Sequence, residues 1–318
     1  MQMKFRLMSV LTLTVFTTFT ACKKDAVSTD KPSTELATHS DDQNEVSNSM
    51  DDVANDANLA VESNAFYSGK MQQPQGIICN ATVAFDTASN PRTITITYNG
   101  NNCQGTHFRQ GSVVLSMPAN QHWRDAGAAI TVTYSALKIK RLSDNKSITI
   151  NGSETITNVS GGLLITLANA QQPITHTLTS SNMSITFDDG TQRTWQVARQ
   201  RVYSYNNGIV ATITGTHTDG NNNHIAEWGT NRNGHAFTTS ITQPLVIRQD
   251  CDFRLTSGQI MAASHLPDKV LVEFGQKPGI TKHPGTSFHF QLRNNGLRTG
   301  SGQPLCIFAA NGTYRQEV

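Results

Sequence analysis

After residue 65 this sequence contains no apolar spacing of three and four residues long enough for a useful helix, so the crossover helices of a parallel sheet are missing and α/β folds are excluded. There is no G-x-S-x-G elbow, H-E-x-x-H pair, phosphate loop or dinucleotide fingerprint, and the chain is therefore read as a non-enzyme without cofactor. No C-x-x-C spacing occurs, which disfavours a structural zinc site. Basic residues are scattered as singles such as Arg92, Arg109, Arg124, Lys138, Lys140 and Arg141, with no dense run.

The amino terminus is the most informative segment that is present. Lys4 and Arg6 precede an apolar run from Leu7 to Phe19, too short to span a bilayer but long enough for a secretory core, and Thr20-Ala21 lead into Cys22. This resembles a bacterial lipoprotein signal. It implies removal of residues 1–21, acylation of Cys22 and anchoring through several acyl chains, each methylene contributing about 0.8 kcal/mol. Lys23 after Cys22 favours the outer membrane, facing the periplasm or the medium, and nucleic acid is not an expected partner of an exported chain.

Charge is divided between two regions. Residues 23–64 hold ten acidic side chains against three lysines, whereas 65–318 hold thirteen acids against twenty Lys and Arg, so a net charge of +2 conceals segments of roughly −7 and +7. A basic face for anionic glycans or lipid headgroups is one meaning, and an acidic tether on a mildly basic domain is the plainer one. The stretch from 23 to about 45 has almost no large apolar residues and reads as that tether. Val46, Met50, Val53, Ala57 and Ala60 or Val61 then recur at helical spacing, which predicts a short amphipathic helix over 47–62 docked on the domain.

From Ile77 the period becomes two. Thr93-Ile94-Thr95-Ile96-Thr97-Tyr98, Ile130 to Tyr134, Ser147 to Ile150 and Ile209 to Thr214 place branched apolar residues on one face and threonines on the other. Asn99-Gly100, Asn151-Gly152, Asp189-Gly190, Asn207-Gly208, Asp219-Gly220 and Asn233-Gly234 supply the positive φ of tight turns. The expected fold is all-β: one domain over 65–318, a long antiparallel meander forming a curved or half-open barrel-like sheet. A β-sandwich and a closed barrel are the alternatives.

With Cys22 used for lipid, Cys79, Cys103, Cys251 and Cys306 remain, an even number in an exported chain. Three pairings are possible. Cys79–Cys103 and Cys251–Cys306 are favoured because each brackets a compact segment, with metal ligation as the competing use.

The order of features resembles a group of uncharacterised, β-rich lipoproteins from Bacteroidota. The matching elements are the leading cysteine with Lys23-Lys24-Asp25, the Cys79 strand, and Cys103-x-Gly105 leading to Arg109-Gln110-Gly111-Ser112-Val113. The Gly127 strand entry, Thr230-Asn231-Arg232-Asn233-Gly234, Cys251-Asp252-Phe253 and Phe274-Gly275 follow the same pattern. The resemblance implies fold and compartment, and no catalytic residues.

Candidate residues are few. His217, Asp219, His224, Glu227 and His235 form the best polar cluster for a metal, but they read more plainly as turn and solvent-face residues. Trp123, Trp195 and Trp228 could stack on sugars, although indoles are usually core, and a glycan-active site could draw only on Asp188, Asp189, Glu227 and Asp250. Asp86-Thr87-Ala88 resembles an O-glycosylation acceptor at Thr87. The expected function is a membrane-anchored envelope protein with a structural or binding role; a lipid or hydrophobic-ligand carrier and a glycan-binding surface protein are the alternatives. An inward face filled by its own side chains argues for the structural role, and an apolar groove left empty or covered only by the helix argues for the carrier.

Overall fold

Alternation with a period of two is clearest in β2–β7 of the fourteen described strands: β1 (Ala81–Asp86), β2 (Arg92–Asn101), β3 (His107–Met117), β4 (Ala128–Arg141), β5 (Ser147–Asn158), β6 (Ile174–Phe187) and β7 (Gln192–Tyr205) come first. They are followed by β8 (Ile209–Gly215), β9 (His217–Asp219), β10 (Asn222–Thr230), β11 (Ala236–Arg248), β12 (Arg254–Ser264), β13 (Lys269–Phe274) and β14 (Phe288–Gln291). The computed structural model describes residues 34–64, 67, 69, 78–169, 172–251, 254–264, 269–274 and 288–291. The signal segment, the lipidation residue Cys22 and the partner Cys306 expected for Cys251 lie outside them.

The strands form one sheet in the order β1-β2-β3-β4-β5-β6-β7-β10-β11-β12-β13-β14, with β8 bridging β7 and β11 and β9 attached to β10. The fold is all-β and antiparallel apart from the parallel β13–β14 pair, and the sheet does not close into a barrel. With a single sheet, the sandwich is ruled out among the described strands. The meander is uninterrupted from β1 to β7; beyond that, β7 splits its edge between β8 and β10.

The helix is longer than expected. α1 spans Thr34–Glu62 rather than 47–62, so residues 34–45 are helical and not tether. This first part escaped the apolar pattern because its buried positions are polar: His39, Asp42 and Glu45. Further on, Val46, Met50, Val53, Ala54, Ala57, Ala60 and Val61 join one core cluster with inward residues of β2–β7.

The sheet curls around α1. Among the described helix positions the exposed ones are Asn44, Asn48 and Asn55, one narrow stripe at helical spacing. Asp51 and Asp52 flank this stripe on opposite sides, since adjacent helical residues point about 100° apart. Asp51 pairs with Arg199 and Arg201 on β7, whereas Asp52 accepts a hydrogen bond from Asn102 at the end of β2. Strands five places apart therefore meet both flanks of one helix.

The bending has a local cause. Register shifts fall at Gln110/Ser112, Tyr134/Leu137, Asn151/Glu154 and Ser180/Met183, a line of bulges across β3–β6. Each bulge bends its strand and adds twist. Asn151-Gly152 belongs to this line, and Asn99-Gly100 lies inside β2, so neither is the hairpin turn expected from sequence. Gly152 in its bulge and Gly100 within β2 both take a positive φ, as a turn glycine does, which is why the dipeptide signal does not separate them. The other four Asn/Asp-Gly pairs do connect successive strands.

Candidate functional site

The inward face of the sheet is a trough lined with arginines, and α1 brings the acids that meet them. On β7 the inward positions alternate as Arg193, Trp195, Val197, Arg199, Arg201 and Tyr203, all buried. Arg92 on β2, Arg109 on β3, Arg141 at the end of β4 and Arg232 in the β10–β11 turn join them.

Each of the eight acids of α1 has a partner. Asp56 receives Arg109 at 2.6 Å and the Tyr98 hydroxyl at 3.1 Å. Arg141 reaches Asp41 at 2.9 Å and Glu45 at 3.2 Å, and Lys146 adds a contact of 3.2 Å to Asp41. Arg232 holds Asp42, Arg199 and Arg201 hold Asp51, and Asn102 holds Asp52. Glu35 meets His235 and Asn231, and Glu62 accepts the backbone N–H groups of Leu164 and Ile165. Five of these acids, Asp41, Asp42, Glu45, Asp51 and Asp56, thus meet an arginine of the basic segment inside the protein.

Beneath α1 the sheet has its own buried network. Glu227, fully buried, pairs with Arg199 and accepts a hydrogen bond of 2.6 Å from the Ser47 hydroxyl. The Tyr134 hydroxyl donates to Glu154, whose carboxyl is pushed up to about 7 by burial against the opposing pull of Tyr134 and Arg201. Burial lowers His39 to about 4, assisted by Arg193, and His176 to about 3, assisted by Arg201. For Asp41, burial acts upward but the hydrogen bonds and charges of Arg141 and Lys146 outweigh it, and its carboxyl sits below the usual range.

The void beside Ala54, Trp123, His176 and Arg201 provides about 10 Å³, and the one beside Asp41 and Arg141 the same, each room for roughly one water. Ser47 is hydrogen-bonded within the network to Glu227 and Arg199.

The residues singled out from sequence are dispersed. Glu227 points into the trough, His235 lies against the first turn of α1, and His217 stacks on Trp228 with centroids 4.0 Å apart. Among the described residues no group of three or more His, Cys, Asp or Glu could hold a metal. Trp123 and Trp195 are fully buried, so neither forms a platform for sugars. Asp188 and Asp189 occupy the β6–β7 turn, with Asp189 capping Thr191, and Asp250 pairs with Arg248. Thr87 is half-exposed in the β1–β2 connection, beside Asp86, whose carboxylate accepts from Ala88 and Ser89.

Cys79 and Cys103 form a disulfide with Cα atoms 5.2 Å apart. Cys251 is buried in a short turn after β11, and its expected pairing with Cys306 lies outside the described residues. The trough arginines were not anticipated as a group. Their signal was the alternation of Arg193, Arg199 and Arg201 with apolar inward positions on one strand. No described helix is long and apolar enough to cross a membrane. No protein-family model matches the chain, and no curated protein or solved structure matches it either.

Proposed function

We propose that the protein is an outer-membrane lipoprotein, anchored through acyl chains on Cys22, whose β domain has a non-enzymatic structural or binding role. The supporting observation is the seating of α1, which begins twelve residues after Cys22 and is held in the trough by Arg109, Arg141, Arg199, Arg201 and Arg232. A load on the anchor is therefore carried by the core of the domain and not by a surface-docked segment. The chain between Cys22 and Thr34 can extend at most about 40 Å, which keeps the domain close to the bilayer.

Carriage of a hydrophobic ligand is a second reading. It draws on one fact, that the inward apolar face of β2–β7 is covered chiefly by α1. Such a carrier needs α1 to leave, with eight acids separated from their partners.

Palmitate labelling of cells producing the full chain, with Cys22→Ala as control, tests the anchor. Label on the native chain alone is the expected result, and equal labelling of both would overturn it. Protease treatment of intact cells then separates a surface domain, which is digested, from a periplasmic one, which survives until the outer membrane is opened.

A further inference from the structure

Charge is distributed inside out in this sheet. The inward face carries the buried arginines and carboxylates, while the outward face of β2–β6 carries neutral hydroxyls. Strand register aligns them: Thr93, Ser116, Thr131, Thr155 and Thr179 are successive cross-strand partners, a rank of hydroxyls across five strands. The rank on one side is Thr95, Val114, Thr133 and Ser153; on the other, Ala129, Thr157 and Thr177. All twelve are exposed or half-exposed, ten bear a hydroxyl and none bears a charge. Lysines appear on this face only past the bulge line, at Lys138 and Lys140.

The chain carries only 15% charged residues, and many of these are turned inward, among them Asp42, Glu45, Arg109, Glu154, Arg193, Arg199, Arg201 and Glu227, which leaves the outward ranks to hydroxyls. The hydroxyls stand about 4.8 Å apart along a rank and nearly 7 Å apart along a strand, with the threonine methyls between them.

We infer that this outward face binds an uncharged polysaccharide chain lying along the ranks, an inference that deepens the binding reading above. A face without charge has nothing for an anionic glycan, a phospholipid headgroup or an acidic protein. Without aromatic or large aliphatic side chains beyond Val114, it has little for a bilayer or an apolar partner. Hydroxyls that donate and accept, with methyls between, match the O–H and C–H groups of a neutral sugar. The three ranks span roughly 500 Å² of sheet, and the hydroxyls continue at Thr97, Ser112 and Ser135, so the face offers an extended track and not a closed pocket, which suits a chain-like ligand. Because the sheet curls around α1, a flexible chain can follow its ranks where a rigid flat lattice would touch few strands.

The test is affinity electrophoresis of the full chain in detergent, through gels containing dextran, laminarin, mannan or heparin. Retardation by at least one of the three neutral polysaccharides is expected, weakened tenfold or more in Thr131→Val/Thr155→Val/Thr179→Val and in Thr155→Lys. Thermal melting of both variants establishes folding, and Thr155→Lys, one change at an outward position, decides if the triple variant unfolds. Retardation by heparin alone, by none of the four, or equally for native chain and variants overturns the proposal. So does a dimer in sedimentation that Thr155→Lys dissociates, since the face then serves a second copy. Lipidation at Cys22 is read separately, so its failure is not confused with this one.

Discussion

Arg232 grips Asp42 with two hydrogen bonds, Nε to Oδ2 at 2.7 Å and a terminal nitrogen to Oδ1 at 2.6 Å. The guanidinium also lies 3.8 Å over the Phe187 ring and reaches Asp189 at 3.0 Å, so one turn residue ties α1 to the ends of β6 and β10. Asp42 is nearly fully buried, and a bidentate arginine holds its carboxylate in a fixed register along the trough. Asp42→Asn should cost roughly 3 kcal/mol, because it leaves a partly buried guanidinium without its main partner. Asp42→Asn/Arg232→Met should cost less than the two single changes together, by about 1–3 kcal/mol in urea unfolding. Strict additivity would show that the pair does not seat the helix.

Much of this interior was legible in sequence as two separate facts whose connection was not. The acidic segment and the basic domain were both visible, and so was the helical spacing of Val46, Met50, Val53 and Ala57. That the acids belonged to the buried side of the helix was not, because Asp42 and Glu45 are inward-facing only when arginines wait opposite them. Hydrophobic periodicity records burial in apolar surroundings and is silent where the partner is an ion. The strands fared better, since one side of the sheet meets a core and the other water. Thr93 to Tyr98 could be assigned its inward isoleucines directly, while the cross-strand ranks needed the register and its four bulges.

The carboxylate of Glu62, the last residue of α1, accepts the N–H of Leu164 at 2.7 Å and of Ile165 at 2.9 Å. These open a short 3-10 turn, Leu164–Asn169, whose Leu167 packs with Ile174 and Tyr203. Glu62→Gln retains one acceptor oxygen and loses the charge, and should destabilise by about 1–3 kcal/mol. Hydrogen exchange gives the sharper reading. The amides of Leu164 and Ile165 should lose protection selectively, and a uniform loss over all strands would mean that the carboxylate has no local role.

Gly152 sits in the bulge line with φ near +119°, and a Cβ placed there would come within 2.6 Å of the Asn182 carbonyl oxygen and 2.9 Å of the Met183 Cα. Both are backbone atoms that cannot swing aside. Gly190, in the β6–β7 turn with φ near +81°, has nothing within 4 Å. Gly190→Ala should therefore cost about 1 kcal/mol, the strain of a left-handed residue alone, and Gly152→Ala at least 2 kcal/mol. Equal losses would mean that the bulge line yields easily and does not set the curl of the sheet.

Acid should weaken the fold through two histidines. His176, edge-on to Trp123 and Tyr203, titrates at about 3 in the folded protein, and His39, packed on Phe237, at about 4, both below the ordinary 6.5. Between those values and 6.5 the unfolded chain binds protons that the folded one refuses. Their contribution is therefore intact above about pH 6.5 and is lost as pH falls toward 4 and 3. Glu154 has the opposite sign: its folded value of about 7 exceeds 4.5, so its contribution is present below pH 4.5 and is lost as pH rises through 7. Comparing each variant with the native chain isolates these groups from the other carboxylates. The stability advantage of the native chain over His176→Phe should shrink by about 1.4 kcal/mol per pH unit on going from 6 to 4, as one proton requires. Relative to Glu154→Gln the native chain should instead lose ground as pH rises from 5 to 7. Urea midpoints across this range measure both slopes, and parallel curves for native chain and variants would show that neither group titrates differently on folding.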